Sequence, residues 1–439
     1  MSARQLSRRE TVAALAATAA CAVAGSSSAR AALDFNGQTQ NCTGPSYSAT
    51  GPNAELYGSE EGYPLPDIVE ARRRGDPWEP KYRVGAFTHL DQIYPTRLVR
   101  RADTPSTFKC SAAQIYYDFR GNRFSPIDYM SRNPVTGLLI AKDDQILFEH
   151  YQYARTDHDR FVSQSMVKSI MGLLIGIAIA EGAIKSVDDL PEAYVPGFRG
   201  TEYGRTPIRD LLHMSSGVDF GETRDNGRDL NRLWNGMGIA FPSTKIGTVE
   251  SIVQFNRRIA PAGTRFYYAS VEPDVLGMVL HSAVNKSASD YLREKLWEPI
   301  GAEADARWLI DAEGFELAHF GFNAVLRDYA RLGRLLAHDG AWEGKQPVPA
   351  QWMIDSTTVR ASDSYLLPGR ATKKFGYGYL LWLFPGDRRQ FAFIGYKGQY
   401  VCVDPIAKLV MVQTAVEAPG ASDNDETWAL WSSLVDQLG

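Results

Sequence analysis

Residues 161–184 read F-V-S-Q-S-M-V-K-S-I-M-G-L-L-I-G-I-A-I-A-E-G-A-I. A polar opening, Ser163-Gln164-Ser165, gives way to Met166, Val167, Ile170, Leu173, Leu174, Ile175, Ile177 and Ile179. Apolar residues on every face predict a helix buried on nearly all sides. Two polar groups, Ser165 and Lys168, interrupt its first turn. At i and i+3 near a helix N-terminus they share a face about one turn apart, close enough for the amine to take the hydroxyl proton. A lysine entering an apolar helix is desolvated, which favours its neutral form, and a neutral amine is a usable base. The pattern S-x-x-K is short, and it recurs at Ser106-Thr107-Phe108-Lys109. That copy follows Pro105, precedes Cys110 and has no apolar helix behind it, so the tetrad alone does not decide the chemistry.

At 439 residues, 44% hydrophobic and 22% charged, the chain is globular and long enough for two packed lobes. A net charge of −4 and a pI near 6.0 leave no basic footprint for nucleic acid or anionic lipid, so a small molecule is the expected partner.

The first 31 residues read as an export signal. Ser7-Arg8-Arg9 precedes an Ala-rich run from Val12 to Ala24, and Ala29-Arg30-Ala31 offers a cleavage site before Ala32. The paired arginines point to twin-arginine export to the periplasm or beyond, although Thr11 stands where that signal has a large apolar residue. Thr18-Ala19-Ala20 before Cys21 is a poor lipidation site. Lys168 and Glu181 break the longest apolar run, so no membrane span is expected in the mature chain. Cleavage leaves Cys42, Cys110 and Cys402; an oxidising compartment permits a Cys42–Cys110 bridge, and Cys402 reads as core.

Residues 32–129 read as an N-terminal extension, rich in Gly, Pro and Tyr over 36–110, and laid across a larger body of residues 130–439. A β-hairpin is expected from Leu138-Leu139-Ile140-Ala141 and Ile146-Leu147-Phe148 around Asp143-Asp144. Residues 185–315 read as mainly helical. Strands follow at Tyr377 to Phe384, Phe391 to Ile394, Tyr400 to Val403 and Leu409 to Thr414, then a helix carrying Trp428, Trp431, Leu434, Val435 and Leu438 on one side. The expected class is α+β, with an α/β lobe (about 130–184 and 316–439) built on an antiparallel sheet flanked by helices, a mainly helical lobe (about 185–315), and the cleft between them.

Four motifs in this order carry a resemblance: Ser165-Met166-Val167-Lys168; the L-L-H-M-S-S-G run at 211–217; Pro261-Ala262-Gly263-Thr264-Arg265-Phe266-Tyr267-Tyr268-Ala269-Ser270; and Gly395-Tyr396-Lys397-Gly398-Gln399. Together they resemble the serine hydrolases of the class C β-lactamase and penicillin-binding-protein superfamily, within it the 6-aminohexanoate-dimer hydrolase branch. The resemblance covers roughly residues 130–439 and implies a β-lactamase or transpeptidase-like fold. It implies that Ser165 is the nucleophile, Lys168 the helix-borne base and Tyr268 the tyrosine of the family's Y-x-N motif, whose phenol passes a proton to the leaving group. Gly395 matches the end of the K-T-G or H-x-G strand, a substrate-binding position. Its successor Tyr396 then gives one backbone N–H to the oxyanion and Ser165 the other.

Two departures bear on substrate. Phe393 stands where carboxylate-recognising members keep Lys or His, and Ser270, a second substrate-binding position, stands where antibiotic-hydrolysing members keep Asn. Both argue against β-lactam antibiotics. Ser422-Asp423-Asn424 and Lys245-Ile246-Gly247 match the missing motifs literally but occur in reversed order and read as accidents. There is no G-x-S-x-G elbow, no metal-ligand spacing among the seven histidines and no phosphate-cradling loop, so neither metal nor cofactor is implied. His213 reads as a packing residue. The insert at 219–260, with Asp219, Phe220, Glu222, Arg224, Asp225, Trp234 and Phe241, is the expected source of substrate choice.

The expected reaction is two-step acyl transfer through an acyl-enzyme on Ser165, hydrolysing an amide or ester of a small molecule, with Lys168 or Tyr268 as base. Alternatives are a carboxylesterase, a D-amino-peptide or β-lactam hydrolase of the same superfamily, or a non-catalytic binding protein on this fold. Retention of Ser165, Lys168 and Tyr268 together speaks against the last.

Overall fold

The structure, a computed structural model, describes residues 44–58, 70, 78–111, 113–222, 227–240, 243–417 and 425–439. The expected export signal at 1–31, Cys42, Arg224, Asp225, Phe241 and Ser422-Asp423-Asn424 lie outside the described residues. Among the described residues, nine strands make the main sheet: β1 (Ser46–Tyr47), β2 (Lys109–Cys110), β3 (Val135–Lys142), β4 (Gln145–Tyr151), β5 (Gly376–Tyr377), β6 (Trp382–Leu383), β7 (Phe391–Gly395), β8 (Gln399–Asp404) and β9 (Leu409–Ala415). Their order is β1-β4-β3-β9-β8-β7-β6-β5, with β2 also on β4. The helices used below are α1 (Arg83–Thr88), α2 (Val167–Ala180), α3 (Arg228–Met237), α4 (Val271–Val284), α5 (Leu326–Ala337) and α6 (Asp425–Leu438).

Strand periodicity divides the central sheet between two cores. Leu139, Ala141, Val401, Val403, Val410 and Val412 join the core containing α2 and α5, whereas Leu138, Ile140, Tyr400, Cys402, Leu409 and Met411 join the core under α6. Because both faces are covered, β8 and β9 are buried at every residue. Trp428, Trp431, Leu434 and Val435 of α6 recur at helical spacing and lie in that second core, as the sequence predicts. The β3–β4 hairpin closes on Asp143-Asp144, with Lys142 opposite Gln145.

The expected strand from Tyr377 to Phe384 is two short strands instead. Leu380 sits at φ 55°, its N–H donates to Leu212 O over 2.9 Å, and its carbonyl accepts from Ser169 Oγ at 2.6 Å. At Gly378 an added Cβ would lie 1.9 Å from Ser356 O. The segment leaves the ladder to dock on α2 and the 208–212 helix. A second departure is at the opposite edge, where the extension adds β1 and β2 in parallel to β4. They cover an edge that would otherwise present unpaired backbone groups.

A separate four-stranded sheet pairs Thr96–Val99, Ala306–Leu309, Phe322–Ala324 and Phe161–Val162, all antiparallel. Its last strand leads directly into the Ser165 turn. Cys110 is disulfide-bonded, and Cys402 is a buried free thiol. No helix among the described residues is long and apolar enough to cross a membrane.

Candidate active site

Ser165 lies in a 3-10 turn, Gln164–Met166, immediately before α2 rather than inside it. The turn is tied to the four-stranded sheet: Ser163 N–H donates to Phe322 O over 2.7 Å, and Phe322 N–H donates to Ser163 Oγ over 3.2 Å. Gln164 is held at φ 46°, a conformation costly for a residue with a side chain, just ahead of the serine.

Nζ of Lys168 stands 2.7 Å from Ser165 Oγ and 2.7 Å from His319 O. The lysine is 2% exposed. Burial brings its pKa down from 10.5 to about 8, against the opposing pull of the Glu222 and Asp274 charges. The Tyr268 phenol is hydrogen-bonded to Ser165, and Lys168 Nζ lies 5.0 Å from its ring centroid. Burial, seconded by the Glu222 charge, raises the phenol well above its usual range, while the Ser165 bond pulls the other way. Two side chains one helical turn apart and a third from a distant part of the chain therefore meet.

The other motifs explain how Tyr268 gets there. Tyr267 N–H donates to Met214 O at 2.7 Å and Gly263 N–H to Ser215 O at 2.9 Å, so the L-L-H-M-S-S-G run forms a backbone rail for the tyrosine segment. The Tyr268 ring packs on Trp382 and Tyr377, with centroids 5.7 and 6.4 Å apart. His213 is buried against Tyr379, 4.8 Å between centroids, and burial lowers its pKa to about 4.

Gly395 ends β7 against the serine turn; a Cβ there would lie 2.5 Å from Ser163 O and 3.1 Å from Gln164 Cβ. Tyr396 follows and is 62% exposed. The Ser270 hydroxyl donates to Glu222 Oε1 at 2.6 Å and its N–H to Glu222 Oε2 at 2.8 Å. Its hydroxyl thus holds a loop carboxylate. Of the insert's remaining described residues, Asp219 pairs with Arg257, Phe220 is buried against Phe255, and Trp234 of α3 hydrogen-bonds His319.

Sequence reasoning missed His319 and Asp274. Nδ1 of His319 lies 2.9 Å from Asp274 Oδ1 and 2.8 Å from Oδ2, and both residues are buried. His319 meets Lys168 through its carbonyl, which every residue type carries, so no sequence signal marks it. The chance tetrad is engaged otherwise: Ser106 Oγ donates to Ile300 O at 2.9 Å and Lys109 pairs with Asp144 at 2.6 Å. Lys245 Nζ donates to Ala312 O at 3.2 Å. Among the described residues no group of three or more His, Cys, Asp or Glu is placed to hold a metal ion.

A hydroxyl beside a desolvated amine and a phenol, at the entry to a helix, is an arrangement able to run nucleophilic acyl transfer. A family model described as Beta-lactamase matches residues 124–435. The chain belongs to that family. It is a hydrolase of the serine β-lactamase and penicillin-binding-protein superfamily, with the fold of that group. The 6-aminohexanoate-dimer hydrolase of Paenarthrobacter ureafaciens is 26% identical over 350 residues, covering 77% of this chain and 86% of the relative. Among solved structures, the "Putative 6-aminohexanoate-dimer hydrolase from Bacillus anthracis" superposes with a TM-score of 0.76 at 20% identity, covering 84% of this chain and 97% of that one. EstCE1, described as a hydrolase with promiscuous acyltransferase activity, gives a TM-score of 0.55 at 16% identity, covering 69% of this chain and 94% of its own.

Proposed function

We propose that this family member hydrolyses an amide or ester of a small, linear substrate through an acyl-enzyme on Ser165, in the manner of 6-aminohexanoate-dimer hydrolases. The carrying observation is the 2.7 Å approach of the buried Lys168 amine to the Ser165 hydroxyl. Lys168 is the base: an amine with a pKa of about 8 is substantially neutral at mildly alkaline pH, whereas the raised phenol of Tyr268 keeps its proton. As Ser165 Oγ bonds to the substrate carbonyl carbon, its proton passes to Lys168 and the carbonyl electrons move onto oxygen. The backbone N–H groups of Ser165 and Tyr396 receive that oxyanion. Collapse expels the amine or alcohol, which takes a proton from Tyr268, itself resupplied by Lys168. Water then attacks the acyl-enzyme by the reverse proton route.

The side-chain environment supports a substrate without a required carboxylate. Phe393 is buried in the core, and the Ser270 hydroxyl is spent on Glu222. Neither offers the contacts that β-lactam recognition uses. Gly395 lets β7 lie close against the serine turn, so substrate backbone can run along that strand. Export by the twin-arginine signal, with periplasmic or secreted residence, belongs to the same proposal and rests on residues 1–31 alone.

The test is a panel of p-nitrophenyl acetate and butyrate, a 6-aminohexanoate dimer, nitrocefin and a D-Ala-D-Ala peptide, read against Ser165→Ala. Turnover of the esters or the dimer that vanishes in Ser165→Ala with the melting curve preserved supports the reading. Wild-type-like turnover in that variant removes it, and preference for nitrocefin overturns the substrate class.

A further inference from the structure

We infer that Arg83, Glu417 and Lys397 form a brace by which the N-terminal extension positions the Tyr396 amide; this rests on the oxyanion role proposed above for that amide. The β7–β8 hairpin closes with Gly395 opposite Gln399, leaving Tyr396-Lys397-Gly398 as its connection. Lys397 sits at φ 64° and Gly398 at φ 88°. The left-handed region is natural for the glycine and unfavourable for the lysine, so the turn needs anchors to keep this shape.

The inner anchor is Gln399, buried, whose Nε2 lies 3.1 Å from Tyr396 O, 3.1 Å from Lys397 O and 2.7 Å from Ala415 O. The outer anchor is an ion cluster. Lys397 Nζ lies 2.5 and 2.7 Å from the two oxygens of Glu417, which follows β9, and Glu417 Oε2 also takes a bond from Arg83 Nη1 of α1. Arg83 is itself fixed, with Nε donating to Trp78 O at 3.2 Å and its guanidinium 5.8 Å from the Tyr57 ring centroid. The side chains of Arg83, Lys397 and Glu417 are 14%, 16% and 32% exposed, so water screens these ion pairs less than it would a fully exposed pair. Burial pushes the Glu417 carboxyl up, but bonds to Lys397 and Arg83 outweigh it and hold its pKa below the usual value. The carboxylate therefore stays charged and keeps both cations throughout the neutral range.

None of the three side chains reaches the serine, so they are positioning residues. Their consequence is geometric: an amide displaced by a fraction of an ångström no longer meets the oxyanion as it forms, while ground-state binding is little affected. Arg83 precedes the 124–435 stretch that the family model matches. A segment outside that stretch thus completes the catalytic apparatus.

The experiment uses the full chain with p-nitrophenyl butyrate as substrate and an arylboronic acid as tetrahedral probe. Arg83→Met should lower kcat about tenfold, part of the roughly hundredfold loss expected for deleting a whole oxyanion donor, with KM within about twofold and boronate affinity falling in parallel. Arg83→Lys should restore most of the activity. Lys397→Met should show the same split, and the double variant should be no worse than Lys397→Met alone, because both act through Glu417. If Arg83→Met fails to fold, Lys397→Met decides. Unchanged kcat in the brace variants, or a rise in KM with kcat intact, overturns the brace. Should that happen while turnover remains dependent on Ser165, the active-site reading stands; turnover surviving in Ser165→Ala would sink that reading instead.

Discussion

Trp234 donates its indole N–H to Nε2 of His319 over 2.8 Å. Indole nitrogen is a donor only, so Nε2 must present its lone pair and the ring proton sits on Nδ1, toward Asp274. The ring is clamped at both nitrogens, and the carbonyl of the same residue accepts from Lys168. Trp234→Phe leaves Nε2 buried without a partner, at a cost of about 1–3 kcal/mol. The expected outcome is a lower melting temperature together with a several-fold lower kcat, because the carbonyl that orients the lysine loosens. Calorimetry and ester kinetics on one preparation check both, and a variant indistinguishable from wild type in each would dissociate Trp234 from the base.

The lysine sets the pH dependence. With its folded pKa near 8, the neutral amine grows as pH rises, so kcat/KM should climb with an acidic limb centred near 8 and level off above it. The same burial costs stability. Because the folded value lies below 10.5, the penalty for holding the ammonium is full below pH 8 and fades by pH 10.5. Lys168→Met should therefore abolish turnover yet gain up to about 3 kcal/mol at pH 7, less the lost hydrogen bonds, and that gain should shrink toward pH 10. Paired melts at pH 7 and 10 measure it. A gain that grows with pH would contradict the sign.

Glu222 tunes the pair from outside. Its charge favours the Lys168 ammonium and raises Tyr268. Glu222→Gln keeps an acceptor for Ser270 but removes the charge, so the ammonium loses support and the acidic limb should move below 8. Rate profiles of wild type and variant give the answer directly; a limb that stays put or moves upward would mean that the carboxylate does not act on the lysine.

How much of this was legible beforehand follows from where the information lies. The apolar run behind Ser165, the i, i+3 spacing to Lys168 and the aromatic motif around Tyr268 are local patterns, and the structure brings them together. The near-continuous apolar runs at Tyr400–Val403 and Leu409–Thr414 are likewise local, and they fit strands covered on both faces. What stayed hidden depends on partners far away in sequence. The Ser270 hydroxyl meets Glu222, 48 positions earlier. Residues 378–381 leave the sheet because Ser356, Leu212 and Ser169 await them. Single residues in the left-handed region, Gln164 and Lys397, give no compositional warning, since neither type favours it.

Gly395 gives the sharpest steric prediction. Its Cα faces the carbonyl of Ser163 so closely that a methyl group would stand 2.5 Å from that oxygen and 2.9 Å from Gln399 Cβ. The first obstacle is backbone and cannot rotate away, so in Gly395→Ala either β7 or the serine turn must shift. The sheet resists, since β7 pairs with β8 along its full length from Phe391 to Gly395. The turn already carries Gln164 at φ 46° and is the softer side. Movement there displaces Ser165 relative to the Tyr396 amide, and a misplacement near 1 Å costs about a hundredfold in rate. Gly395→Ala should thus lose about 10²-fold in kcat while its melting temperature falls by only a few degrees, a loss of about 1–3 kcal/mol for overpacking. Steady-state kinetics beside a thermal melt separate the two effects, and full activity in this variant would show that strand and turn are not in the contact on which the site geometry depends.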